Sequence, residues 1–530
     1  MTTNAITNTG RLRMKTKTLR MVAAAAAMFL APALASAQGR YVHANNSPFD
    51  NLDPHAVFDV GRAASRINMY DGLYRWVDNP PKMIPWLAES HTISPDGLTY
   101  TFKLRRGVKF HDGSEMTSAD VVYTMERMLA MKKGPAGLFL GSIAPGTTQA
   151  PDPYTVVFTL KEPSAIFLST VPEIQVVNSK LVQRNVKDGD HGEGWLSRND
   201  AGTGSFALRR HDPAVGFIAT RFKDHFYGWE PGKKWFDEIE FRSVLDVNTR
   251  VLGMIKGDYQ GTDGYLPYDQ IERLRKEPNI QILEDESMRV FYFAFNMSRP
   301  PFDNVHFRRA LNHAFDYNGF INDILKGSVA RNPSPNPNNL WGTPKDIKGY
   351  EFDLDKAKAE LAKANIQLRP ITINPLAGFP ETEQASVLFA NALRKIGIEA
   401  KVEASPWNIV SDRFRSKDTM HDMVPLWKST YYADPNNWVG ELFTTRHHGG
   451  RSTTWYSNPE LDRITDEALR ITDQAERAKL YDKAIRHIVD EAVGIFVYNT
   501  KWFGPYSSKI GGIRFSPIGS GQEMRWAYFK

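Results

Sequence analysis

The chain has 530 residues, 42% of them hydrophobic and 24% charged, with no cysteine and 66 Lys+Arg against 60 Asp+Glu, a formal charge of +6. That is the composition of a folded globular chain, and its length implies roughly two to four domains, because single cores stop growing near about 250–300 residues. The absence of cysteine excludes a disulfide framework, a thiol nucleophile, thiolate zinc sites and Cys-ligated iron–sulfur clusters.

The amino terminus comes first. Arg11, Arg13, Lys15, Lys17 and Arg20 precede an apolar stretch from Met21 to Leu34 and then Ala35-Ser36-Ala37, with no acid before residue 38. Basic region, apolar core and A-x-A ending predict a cleavable secretory signal over residues 1–37. The apolar stretch is shorter than the roughly 18–20 residues that span a bilayer, which argues against a membrane anchor. Met14 would open a signal of ordinary length, so the start codon is either Met1 or Met14. No cysteine follows the cleavage site, so the expectation is a free periplasmic protein and not a lipoprotein. Five of the positive charges leave with the signal, and the remaining +1 removes the basic footprint that nucleic-acid binding would need.

Along the mature chain, Ile67, Tyr70, Leu73 and Tyr74 have helical spacing, ending near Asp78-Asn79-Pro80-Pro81. Ser94-Pro95-Asp96-Gly97 predicts a turn feeding a half-buried strand in which Tyr100, Phe102 and Leu104 alternate with polar residues. Thr117 to Asp120 has capping-box spacing ahead of a helix carrying Val121, Val122, Met125, Met128 and Leu129. A strand is predicted over Tyr154–Leu160. Strand patterns follow at Phe206–Leu208, Phe217–Thr220 and Ile239–Arg242, then a helix at Val247–Lys256 and a buried strand at Val290–Phe295. Helices predicted at Val305–Asp316, Leu354–Lys363, Glu383–Ile396, Glu460–Ile471 and Ala475–Val489 alternate with strands at Ile371–Ile373, Glu399–Val402 and Val493–Tyr498. The class is therefore α/β. Asn332–Asn339 reads as a loop.

There is no P-loop, His-Glu-x-x-His, Gly-x-Ser-x-Gly or Gly-x-Gly-x-x-Gly, and the chain is not expected to be an enzyme. Dispersed acids such as Asp263, Glu284 and Glu286 are read as solvated or capping groups. His447-His448 is the best metal candidate, but it lacks a third ligand, so neither metal nor cofactor is expected.

Several segments carry a resemblance. Leu52-Asp-Pro-His55, Tyr100–Gly113 with the helix Thr117–Arg127, Gly202-Thr-Gly-Ser-Phe206, Arg308–Phe315, Asp355–Ala364, Ala433-Asp-Pro435 and Tyr456–Asp462 occur in the order found in the bacterial extracellular solute-binding proteins of family 5, which the sequence resembles. The resemblance implies a type II periplasmic-binding-protein fold, two lobes with an extra domain, closing about a hinge on ligand. It places domain I at 38–72, 199–286 and 500–530, domain II at 73–198 and domain III at 287–499. It implies a monomeric receptor that hands a peptide-class solute to the permease subunits of an ABC importer. An oligosaccharide, opine or other polar solute is the alternative.

Trp427, Tyr431, Tyr432 and Trp438 cluster around Asp434-Pro435, and Trp407 belongs to the same predicted domain. Aromatics concentrated in irregular segments read as ligand or lobe contacts, with plain packing as the alternative. Asp434, or Asp59 beside Phe58 in the amino-terminal loop, would face a cationic group; for Asp434 a turn role before proline competes. The family's peptide binders place an aspartate about four residues before the Asp/Glu-Pro, to pair with the ligand ammonium, and here that place is Tyr431. Dipeptide-type members also hold the ligand carboxylate with an arginine after the strand matching Ile371–Ile373, and none occurs from Ile371 through Asn391. A buried ammonium without a counter-charge costs several kcal/mol, so the peptide-anchoring charges must come from elsewhere.

Overall fold

The structure, a computed structural model, describes residues 39–428, 430–518 and 522–530; the signal read over residues 1–37 lies outside them. An 11-stranded mixed sheet takes its strands in the order Ala400–Val402, Ile371–Ile373, Met423–Lys428, Ile280–Phe295, Gly494–Ser507, Gly261–Thr262, Arg40–Asn45, Glu238–Ser243, Gly216–Arg221 and Phe206–Asp212, with Ala330–Arg331 pairing onto Gly494–Ser507. The α/β reading is what the fold shows.

Two long antiparallel strands, Ile280–Phe295 and Gly494–Ser507, join the halves of this sheet. Their apolar content changes along their length. Ile280 and Phe503 belong to one small core with Val251, Met254, Ile271 and Leu274. Phe291 to Phe295 and Val493 to Tyr498 belong to the large core formed by helices Val305–Ala314, Pro380–Lys395 and Gln474–Asp490. The ladder shifts register between Glu286 and Val290, where the strands leave the first core for the second. Val290–Phe295 is buried at every position instead of alternating, the pattern of a strand covered on both faces. Each fully buried phenylalanine contributes about 1.5–3 kcal/mol. The strand predicted over Val493–Tyr498 thus continues to Ser507, and that over Val290–Phe295 begins at Ile280.

A separate four-stranded antiparallel sheet, Ala88–Ile93, Thr99–Leu104, Thr155–Leu160 and Ile143–Asp152, packs under the helix Ser118–Met131. The predicted alternation holds: Tyr100, Phe102 and Leu104 are buried and the residues between them are not. Asp120 accepts from the Thr117 backbone N–H at 2.8 Å, the capping-box contact expected from the spacing.

The helical reading of Ile67–Tyr74 is corrected. The helix spans Ala63–Met69, and Tyr74–Val77 is a strand that forms a hairpin with Lys82–Pro85. Gly72 separates them: a Cβ there would lie 2.2 Å from the Pro172 carbonyl oxygen, so this close approach requires glycine and ends the helix pattern. The Gly202-Thr-Gly204 motif has the same cause, since a Cβ on Gly202 would meet the Met69 carbonyl oxygen at 1.9 Å and one on Gly204 the Asn68 carbonyl oxygen at 2.5 Å.

Candidate functional site

Five stretches distant in sequence converge beside the register shift. The loop after the strand Arg40–Asn45 supplies Phe58 and Asp59, the loop after Gly261–Thr262 supplies Asp263 and Tyr265, and the shift itself supplies Arg289. The strand Met423–Lys428 and its following loop supply Trp427, Lys428 and Tyr431. The start of the helix Pro380–Lys395 supplies Phe379 and Glu381.

Phe58 and Tyr431 stack at 4.2 Å between centroids, and the Tyr431 hydroxyl donates to the Phe58 carbonyl at 3.4 Å. Arg66 lies over the Phe58 ring at 5.2 Å and Arg451 over the Tyr431 ring at 4.3 Å, so a cation flanks each partner of the stack. Asp59 accepts from Arg62 Nε at 2.7 Å and from its backbone N–H at 2.9 Å. Trp427 packs against Phe291 and Phe379 at 5.2 and 5.8 Å and donates through Nε1 to the Tyr498 hydroxyl at 3.2 Å. The Arg289 guanidinium lies 4.8 Å from the Tyr265 ring and 5.5 Å from the Trp427 ring. A cavity of about 70 Å³ opens beside it, lined by Asp263, Tyr265, Ser287, Arg289, Thr500 and Trp502 among others.

Behind Tyr431 sits a buried charge cluster. Glu441 accepts from Arg451 Nε at 2.8 Å and from the Tyr432 hydroxyl at 2.8 Å, and Lys428 Nζ lies 3.4 Å away. Burial and then the neighbouring Arg451 charge lower the Lys428 ammonium to about 7. Burial would raise the Glu441 carboxyl, but Arg451 and Lys428 hold it down at about 2. Glu381 is pushed up by burial, with the Arg289 charge opposing.

Of the eight residues expected at the site, Phe58, Asp59, Trp427 and Tyr431 are brought together and four are not. Asp434 is corrected: it is buried and pairs through both oxygens with Arg477, at 2.6 and 2.9 Å, while accepting from the Asn436 backbone, so its carboxylate is already occupied. Trp438 is fully buried in a small core with Met288, Val290 and Leu340. Tyr432 is fully buried, its hydroxyl held by Glu441. Trp407 is 44% exposed on the helix Trp407–Arg413, with Phe414 as its ring neighbour. The histidine pair is engaged locally: His447 Nδ1 meets the Thr444 hydroxyl at 2.9 Å and His448 Nε2 the Tyr456 carbonyl at 2.8 Å. Among the described residues no group of three potential ligands could hold a metal.

The sequence reading missed Tyr265, Arg289, Phe379 and Glu381. The one local signal was Arg289 itself, a charge set directly before the apolar run Val290–Phe295.

Residues 82–450 match the model of the bacterial extracellular solute-binding proteins, family 5, middle region. The probable D,D-dipeptide-binding periplasmic protein DdpA of Escherichia coli is 29% identical over 82% of each chain. The di/tripeptide-binding protein 1 of Pseudomonas aeruginosa is 28% identical over 89% of this chain and 90% of its own. The structure of the periplasmic binding protein DppA from Helicobacter pylori, solved with the peptide STSA, superposes with a TM-score of 0.83 at 26% identity, covering 93% of this chain and 98% of that one. With the family model matching well over half of its length, the chain belongs to the bacterial extracellular solute-binding proteins of family 5.

Proposed function

We propose that this protein is the periplasmic receptor of an ABC importer, capturing a peptide-class solute between two lobes and presenting it to the membrane permease as a monomer. The reading rests on one observation above others. Phe58, from the loop after Arg40–Asn45, stacks on Tyr431, from the loop after Met423–Lys428, across the two strands where the ladder changes register. A site split in this way closes only when its halves approach, which is what a hinge receptor needs. Dipeptide- and tripeptide-binding relatives support the peptide class.

On this reading domain I comprises 38–72, 199–286 and 500–530, domain II 73–198 and domain III 287–499, and residues 1–37 form a cleaved export signal without lipid attachment. Tyr431 in place of the family's aspartate keeps a second ligand class in view. The ring faces of Trp427 and Tyr431 also suit an oligosaccharide or opine.

Thermal-shift screening of the purified protein against short peptides, oligosaccharides and opines tests the proposal, since a ligand of the native state raises Tm by mass action. Short peptides are expected to raise Tm and to be recovered intact at 1:1 stoichiometry. A shift with saccharides alone overturns the peptide class, and turnover of the bound compound overturns the receptor role.

A further inference from the structure

Arg289 is out of keeping with its surroundings. It stands within the register shift between Glu286 and Val290, and such irregularities re-aim a side chain out of the regular ladder. Its guanidinium sits between the Tyr265 and Trp427 rings, and its Nε is buried without a hydrogen-bond partner. Among the described residues no carboxylate forms an ion pair with it. The other cations nearby are occupied: Lys501 pairs with Glu284 at 3.0 Å, Lys428 and Arg451 share Glu441, Arg250 holds Asp263 at 2.6 Å, and Arg66 holds Glu173. Glu381 is close enough for its charge to be felt, but burial disfavours the ionised form.

Two aromatic faces fix the plane of a guanidinium and leave its N–H edge for a planar anion, which it grips through paired hydrogen bonds. We propose that Arg289 is the carboxylate anchor of the cleft, receiving a terminal carboxylate of the solute in the cavity beside Tyr265, Ser287 and Thr500. The anchor therefore comes from the crossing strand, not from the segment after Ile371–Ile373. This deepens the receptor reading and rests on it. The solute is a carboxylate compound, and for a peptide the bound group is its carboxyl terminus.

Isothermal titration of the full chain tests this with short peptides as free acids, the same peptides as carboxyl-terminal amides, and an opine-type N-carboxyalkyl amino acid with its ester. The wild type is expected to lose about tenfold to hundredfold in affinity from acid to amide, the value of a charge-assisted hydrogen bond. Arg289→Gln should lose the same factor for acids and nothing further for amides, and Arg289→Lys should recover part of it. Amides binding as tightly as acids, or full affinity in Arg289→Gln, would overturn the anchor while leaving a peptide receptor intact. Binding of the opine acid alone, lost in the ester, would sustain the anchor and overturn the peptide class. A panel in which no acid binds would overturn both. The acid-to-amide comparison uses the unaltered protein, so it decides the matter even if the variants fold poorly.

Discussion

At Arg127 two residues of the Leu52-Asp-Pro-His55 motif converge on one helix. Arg127 donates to Asp53 at 3.0 Å and to His55 Nδ1 at 2.7 Å, while His55 Nε2 donates to the Gln175 carbonyl at 2.8 Å. The motif is thus a structural clamp. Burial, and then the Arg127 charge, lower His55 from 6.5 to about 4. The unfolded chain binds this proton more readily than the folded one, so the stability contribution is full above about pH 6.5 and declines as pH falls toward 4. Denaturant midpoints measured at pH 7 and pH 5 should differ in the wild type and differ less in His55→Asn, which keeps an acceptor for Arg127 but does not titrate. Asp434→Asn is expected to cost about 3–5 kcal/mol in urea unfolding, because it strands the buried Arg477, and to show no selective loss for cationic ligands. Composition drew attention to the aromatics around Asp434-Pro435, but it could not say which rings face the cleft. Tyr432 and Trp438 lie beside Tyr431 and Asp434 in sequence and yet point into packing, because backbone direction in an irregular loop is set by distant partners such as Glu441 and Leu340.

Elements with local signals were the most legible. The helix Val247–Lys256 and the strand Ile371–Ile373 appear with the boundaries expected of them, the first capped by Asp246 accepting from the Thr249 N–H at 2.7 Å. Asp120 does more than close its capping box: the same carboxylate accepts from the Ser179 N–H at 3.0 Å and hydroxyl at 2.6 Å, tying two helices together. Asp120→Ala should therefore lower stability by about 2–3 kcal/mol, more than the roughly 1 kcal/mol of a cap alone, as read by chemical denaturation. Gly204→Ala places a Cβ against the Asn68 and Met69 backbone, which cannot yield as a flexible side chain would, and a marked drop in Tm or loss of soluble protein is the expected result. Illegible elements were those whose limits depend on remote contacts. Tyr74 continued a helical pattern but became a strand because Gly72 packs on Pro172, a hundred positions along the chain.

In the molecule as a whole, contacts other than the two crossing strands link the residues on either side of them. They include the Phe58–Tyr431 stack, the exposed Glu162–Arg470 pair at 3.1 Å and the Ala165 N–H donating to the Leu469 carbonyl at 2.8 Å. A closing hinge shifts toward the closed form only by the ligand's differential affinity for it. Phe58→Ala should increase the radius of gyration of the unliganded protein in small-angle scattering and weaken ligand binding several-fold; an unchanged radius would show that the stack does not hold the halves together. The sequence by itself determined the α/β class, most helices and strands, and the family, because capping, alternation and glycine-bearing motifs act over a few residues and leave local marks. Only the tertiary structure decided that Phe58 stacks on Tyr431 and that Arg289 meets Tyr265 and Trp427, while Asp434 pairs with Arg477 and Trp438 lies in a core. That choice follows from strand order and register, which join residues hundreds of positions apart and have no counterpart in the spacing along the chain.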